Sequence, residues 1–168
     1  MVKGFTLPEL LVSLAILSIV TAVATPSLSD MIEKNKVSTD VLTVKTLIST
    51  TRSKAITDKT YLVICGQIED SSCNRNWSTL SVLAKDSKAL IYRSKLSGNY
   101  ASVTWSAFQN KKALTFAPTG FTHHQNGTLY LCHESNDKLH RAVVVSKSGR
   151  TTIKSDTRKL LDRCSSNN

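Results

Sequence analysis

Eight lysines and arginines stand between residues 138 and 163, at Lys138, Arg141, Lys147, Arg150, Lys154, Arg158, Lys159 and Arg163, against two acids, Asp156 and Asp162. This stretch carries a net +6 of the chain's formal +10. Ser146, Ser148, Thr151, Thr152, Ser155 and Thr157 are interleaved with the cations. Cations and hydroxyls are the groups that grip a nucleic-acid backbone without reading its bases. A solvated basic face with no partner is the competing reading, and the density of charge weighs against it. The stretch holds no aromatic residue, so it offers bases no stacking platform.

Cys65, Cys73, Cys132 and Cys164 are even in number and all lie beyond residue 60, which suits two disulfides made in an oxidising compartment. Four cysteines allow three pairings. Cys65 with Cys73 and Cys132 with Cys164 is the plausible one, the second bond tying a basic tail to a strand end. His123, His124, His133 and His140 lack the spacing of a structural zinc site. With no nucleophile motif, glycine-rich phosphate loop or His-Glu-x-x-His, the chain reads as a non-enzyme with no cofactor and no metal.

The last chemical oddity is Glu9. Leu10 to Ser29 is free of charge, and the apolar run begins at Phe5, so this carboxylate stands inside a hydrophobic segment. Residues 5 to 28 would span roughly 36 Å as a helix at ~1.5 Å per residue, enough for a hydrocarbon core of ~30 Å. Lys3 in the short leader places the N-terminus on the cytoplasmic side and the body outside it. A carboxylate in a membrane helix usually has a partner, because insertion costs about 2.5 to 3.5 kcal/mol at the centre and less near an end. A helix N-terminus is one candidate partner, at about 0.3 to 1 kcal/mol.

The elements that must position these groups follow from periodicity. Val41, Val44, Ile48 and Ala55 extend the helix beyond the apolar segment to about Asp58, with Leu28, Met31 and Ile32 on the same stripe. Pro26 predicts a kink or a local loss of helix near Ala22 to Pro26. From Thr60 onward "TYLVIC", "WSTLSVLA", "ALIYRS", "ASVTW", "ALTFAP", "GTLYLC" and "RAVVVS" read as seven short strands, joined closely enough for an antiparallel sheet. The Ser-Ser-Asn-Asn end should fray.

"KGFTLPELLVSLAILSIV" resembles the N-terminus of type IV pilins and type II secretion pseudopilins. "LTFAPTGF", "GTLYLC" and "HRAVVVSKSGRTTI" resemble successive strands of the FimT/GspH group of minor pilins. The resemblance implies a prepilin peptidase that cuts after Gly4, methylation of Phe5, and pairing of Glu9 with the new amine of a neighbouring subunit. It implies the type IV pilin fold, α+β, with a long N-terminal helix packed on an antiparallel sheet. The corresponding regions are a cleaved leader at 1–4, a membrane and filament-core helix at 5–29, and a soluble domain at 30–168 ending in a basic tail. The implied partners are other pilins, the inner membrane, the prepilin peptidase and DNA, with the domain periplasmic and then part of a surface pilus. DNA-binding members of the group carry Gly-Arg-x-Arg, whereas this chain has Gly149-Arg150-Thr151-Thr152. Lys154, on the same strand face, can replace the missing charge but not arginine's planar fork. DNA binding during natural transformation is therefore the leading expectation. The alternative is a structural subunit that primes assembly of a pilus or pseudopilus without touching DNA.

Overall fold

The computed structural model describes residue 4 and residues 6–66, 68–69, 72–122 and 124–165, with the backbone alone at 23, 24, 26, 68, 69 and 72. It divides into two compact units, residues 1–35 and 36–168. One helix, α1 (Leu7–Thr57), contributes to both.

In the first unit the apolar side chains of α1 lie open. Leu7, Leu10, Leu11, Leu14, Leu17, Val20, Leu28 and Met31 are each more than half exposed, which is how a helix sheathed by lipid looks when described alone. The helix continues unbroken through Pro26, contrary to the local loss of helix expected there. A proline removes one ladder hydrogen bond; in the turns before it, hydroxyls bond backbone carbonyls, Thr21 donating to Leu17 O at 2.9 Å and Thr25 to Thr21 O at 2.7 Å.

In the second unit α1 buries Val37, Val41, Val44, Ile48, Thr51 and Ala55. Alternating steps of four and three keep these residues on one stripe. The helix ends in a Schellman arrangement: Lys59 takes a left-handed φ of 51°, Lys59 N–H reaches Ile56 O at 3.4 Å, and Thr60 N–H reaches Ala55 O at 3.2 Å.

Among the described residues ten strands follow: β1 (Leu62–Cys65), β2 (Ile68–Glu69), β3 (Ser72–Cys73), β4 (Thr79–Ala84), β5 (Leu90–Lys95), β6 (Tyr100–Ala107), β7 (Ala113–Phe116), β8 (Gly127–His133), β9 (Arg141–Val145) and β10 (Thr151–Lys154). A second helix, α2 (Arg158–Ser165), closes the chain. All seven expected strands are present, but together with β10 they form two four-stranded antiparallel sheets instead of one, in the orders β5-β4-β1-β7 and β10-β9-β8-β6. The split arises because β1 pairs with β7, and β6 with β8, across intervening elements. Both sheets and α1 share one core that includes Ile48, Ile64, Trp77, Phe116, Leu129 and Val143. Trp77 stacks on Trp105 with ring centroids 4.8 Å apart.

The second sheet has another covered face. On β8, Leu129 and Leu131 point to the main core, whereas Tyr130 and Cys132 join Ala142, Leu160 and Cys164 in a separate cluster under α2. The C-terminal segment expected to be a basic tail is thus a helix seated on a sheet up to Ser165; the residues beyond lie outside the described ones.

Candidate nucleic-acid interface

The register of β9 and β10 decides which cations meet. Thr152 lies opposite Val144 and Lys154 opposite Ala142, so both project on the sheet face that carries α2. Arg150 is in the preceding turn; its carbonyl accepts Ser146 N–H at 2.9 Å, which continues the pairing and the alternation. Gly149, with φ of 78°, supplies the left-handed position that this turn requires. At the tip Ser146 Oγ and Ser148 Oγ are 3.0 Å apart, Arg150 N–H donates to Ser146 Oγ at 3.2 Å, and Arg150 Nε donates to Ser148 Oγ at 3.3 Å.

Two clefts flank α2. One is lined by Thr128, Tyr130, Ala142, Val144, Lys154, Thr157, Lys159 and Leu160. The other is lined by Ser106, Tyr130, Lys159, Asp162 and Arg163. Lys159 borders both, and the Arg163 guanidinium sits 5.8 Å from the Tyr130 ring centre. Tyr130 is 5% exposed, so its ring is floor and cannot take a stacked base. Lys154, Lys159 and Arg163 are exposed. The chemistry of this face is cationic and hydroxylic above an apolar floor, suited to anionic oxygens.

The eight basic residues are not one site. Arg141 opens β9 and Lys147 lies in the turn beyond its other end, and the four steps from Arg141 to Val145 alone span about 14 Å at ~3.4 Å per residue. Lys147 and Arg150 belong to the hairpin turn, Lys154, Arg158, Lys159 and Arg163 to the α2 region, and Lys138 and Arg141 to the far end. The Arg141 guanidinium is also engaged, its Nη1 donating to Lys138 O at 2.8 Å and His140 O at 2.7 Å. Ser106, Thr128 and Tyr130 were missed because they come from β6 and β8. The alternation that puts Tyr130 beside Cys132 was the available signal.

What holds α2 is visible in its composition. A helix of eight residues is marginal alone, and Arg158 and Lys159 sit in its first turn, where the helix dipole disfavours cations. Burial of Leu160 and a disulfide from Cys132 to Cys164 compensate. The second disulfide joins Cys65 to Cys73 beside the β2–β3 ribbon. Closing a loop of 32 residues is worth roughly 3 to 4 kcal/mol in the chain-entropy model. Reduction, or Cys132→Ser with Cys164→Ser, should therefore release α2 and leave the sheets folded. Amide exchange would show 158–165 losing protection while β1 and β8 keep theirs; unchanged protection of α2 would mean that Leu160 suffices.

At the other end of the chain, Gly4 is exposed and Phe5 lies outside the described residues. Glu9 is engaged within its own helix: its carboxylate accepts from Thr6 N–H at 3.1 Å and Thr6 Oγ1 at 3.0 Å, while Leu10 N–H bonds Thr6 O at 3.2 Å. This satisfies an orphan donor at the helix start and places negative charge at the positive end of the helix dipole. Among the histidines, His123 lies outside the described residues, and no group of three or more metal-ligating side chains occurs among the described ones.

A family model described as type II transport protein GspH matches residues 41–149, and one described as a prokaryotic N-terminal methylation motif matches residues 1–25. Among solved structures, the chain is similar to the type IV minor pilin FimU of Pseudomonas aeruginosa PAO1 in two crystal forms. In space group P21 the identity is 18% and the TM-score 0.58, covering 73% of this chain and 90% of that one. In space group P65 the identity is 19% and the TM-score 0.53, covering 70% and 91%. No curated protein matches the chain.

Proposed function

We propose, for a chain that belongs to the family of the type II transport protein GspH, a minor pilin that grips DNA by its phosphates through the α2 face of its second sheet. Membership makes the chain a minor pilin or pseudopilin, a filament subunit that associates with other pilins and the assembly machinery, and its N-terminal motif is that of a membrane-anchored pilin. Beyond that, we place its N-terminus in the cytoplasm and its second unit in the periplasm, then in an assembled pilus. There it would hold DNA during uptake for natural transformation. The observation that carries the reading is the gathering of Lys154, Lys159 and Arg163 around α2, with Thr128, Thr157 and Ser106 between them. Filament assembly alone does not require such a surface. Cleavage after Gly4 would give Phe5 a free amine, and Glu9, now bonded to Thr6, would exchange or share that partner with a neighbouring subunit's amine.

A structural subunit that primes assembly without DNA is the second reading, favoured by Thr152 at the position of the second arginine. The two separate in a titration of the full chain in detergent with unrelated duplexes. Three phosphate contacts predict a log-log salt slope near −2.7, or about fortyfold weaker binding between ~50 and ~200 mM salt, with little dependence on sequence. Absence of binding at the lower salt would favour the structural subunit.

A further inference from the structure

Residues 134–140 connect β8 to β9, and the imidazoles of His133, the last residue of β8, and His140 hold this connection closed. His133 and His140 are 4% and 6% exposed. His140 Nδ1 accepts the His133 backbone N–H at 3.0 Å, and its Nε2 lies 3.2 Å from Asp137 Oδ1. His133 Nδ1 in turn accepts Ser135 N–H at 3.3 Å. A ring nitrogen accepts only while it is unprotonated, so the bond from the His133 amide requires His140 Nδ1 to be without a proton. Through its carbonyls the same connection occupies Arg141, which donates to Lys138 O and His140 O.

We propose that this connection is an acid-released clasp on the basic surface. Protonation of His140 at Nδ1 removes the acceptor of the His133 amide, sets a cation beside Arg141, and frees the Nη1 donors of that guanidinium for phosphate. Arg141 lies opposite Leu131 and so alternates away from the α2 face that carries Ala142 and Lys154; its release adds a cation at the far end of the basic segment, not to the α2 clefts. The phosphate part of this proposal rests on the nucleic-acid reading above; the clasp itself does not.

The surroundings set the direction. Burial, as the largest influence, pushes the His140 pKa below the usual imidazole value; Asp137 opposes this, while His133 and Arg141 add to it. Glu134 and Lys138 are the other charged groups of the connection, and Glu134 N–H is pinned to Asn99 O at 3.0 Å. From β6 the Tyr100 ring meets His133 edge-on at 6.4 Å, and its hydroxyl donates to Asp40 of α1 at 3.0 Å. A histidine whose folded pKa is depressed favours the closed state at high pH. That preference is lost as pH falls below the ordinary value of about 6.5, because only the opened form takes the proton readily. Leu139, 4% exposed in the main core, keeps the middle of the connection anchored, so release is a loosening of its ends.

The test compares amide exchange of the full chain in detergent at about pH 7.5 and about pH 5, corrected for intrinsic rates. The amide of His133 should lose about tenfold in protection at the lower pH while β1 stays protected. His140→Gln keeps an acceptor that does not titrate, so its protection should be independent of pH. Unchanged protection in the parent, or a pH dependence that persists in His140→Gln, overturns the clasp. Parent affinity for duplex DNA should rise roughly threefold to tenfold more on acidification than that of His140→Gln. His124→Gln, which removes an exposed imidazole elsewhere, should keep the full gain. A connection that loosens in a protein binding no DNA at either pH would overturn the nucleic-acid reading and leave the clasp standing.

Discussion

Replacing Asp40 by alanine should lower the stability of the second unit by about 3 kcal/mol, the largest effect expected of any single polar substitution in the chain. Asp40 is 3% exposed on the core-facing side of α1. Its carboxylate accepts Ser97 N–H on both oxygens at 3.0 and 2.9 Å, Ser97 Oγ at 3.0 Å, Gly98 N–H at 2.8 Å and Tyr100 Oη at 3.0 Å. Alanine would strand two backbone donors and a phenol. Each bond to a charged acceptor is worth about 1.5 to 3 kcal/mol, discounted because Ser97 can turn to water. Asp40→Asn keeps acceptance on one oxygen and should lose about half as much. Denaturant titration reads both as shifts of the midpoint at constant slope. A loss below ~1 kcal/mol for the alanine variant would mean that water replaces the carboxylate. Asp40 also fixes the turn from β5 to β6 and thereby the approach of Tyr100 to His133.

Asp40 stood unnoticed in the sequence, an acid one step from a legible stripe. Val41, Val44, Ile48 and Ala55 revealed α1 because burial on one side of a helix writes a period that composition alone preserves. The seven strands were legible from runs of β-branched and aromatic residues bounded by Gly, Asn, Ser or Pro, a signal that reached even β5, whose residues are almost all exposed. β10 was not among the seven, because it is an edge strand in which Ile153 is 38% exposed and Thr151, Thr152 and Lys154 make up the rest, so no buried face imposes a pattern and only the resemblance marked 150–154 as extended. α2 was hidden for another reason. Its helical state depends on Leu160, Cys164 and a partner strand contributed from 30 residues away, while its local signals, cations in the first turn above all, argue against a helix. The candidate site was half legible. Charge density located the segment, but only register shows that Lys154 and Lys159 share a cleft while Arg141 is bound to carbonyls. Arg150, Thr152 and Lys154 shared a face by alternation alone, as the pairing of β9 and β10 now has it.

That division of the cations leads to the second large effect. Lys154→Gln combined with Lys159→Gln should weaken duplex DNA binding by about 2 kcal/mol, some thirtyfold, at ~150 mM salt and neutral pH. The salt slope should flatten by about two units, one for each phosphate contact removed. Both side chains are exposed at the rim of one cleft, so the loss should be the same on every sequence and the fold unaffected. Lys138→Gln with Arg141→Gln removes as much charge from the same segment, yet at neutral pH it should weaken binding less than about threefold. Arg141 already turns its Nη1 to Lys138 O and His140 O, and the pair lies beyond the α2 face. A basic tail acting only through its summed charge would respond alike to both double substitutions, and so would a solvated face that binds nothing. Only a surface on which register and α2 have gathered particular cations distinguishes them. Equal and small losses would therefore return the protein to the role of a structural filament subunit. Equal and large ones would keep DNA as the partner but remove α2 as the place where it is held.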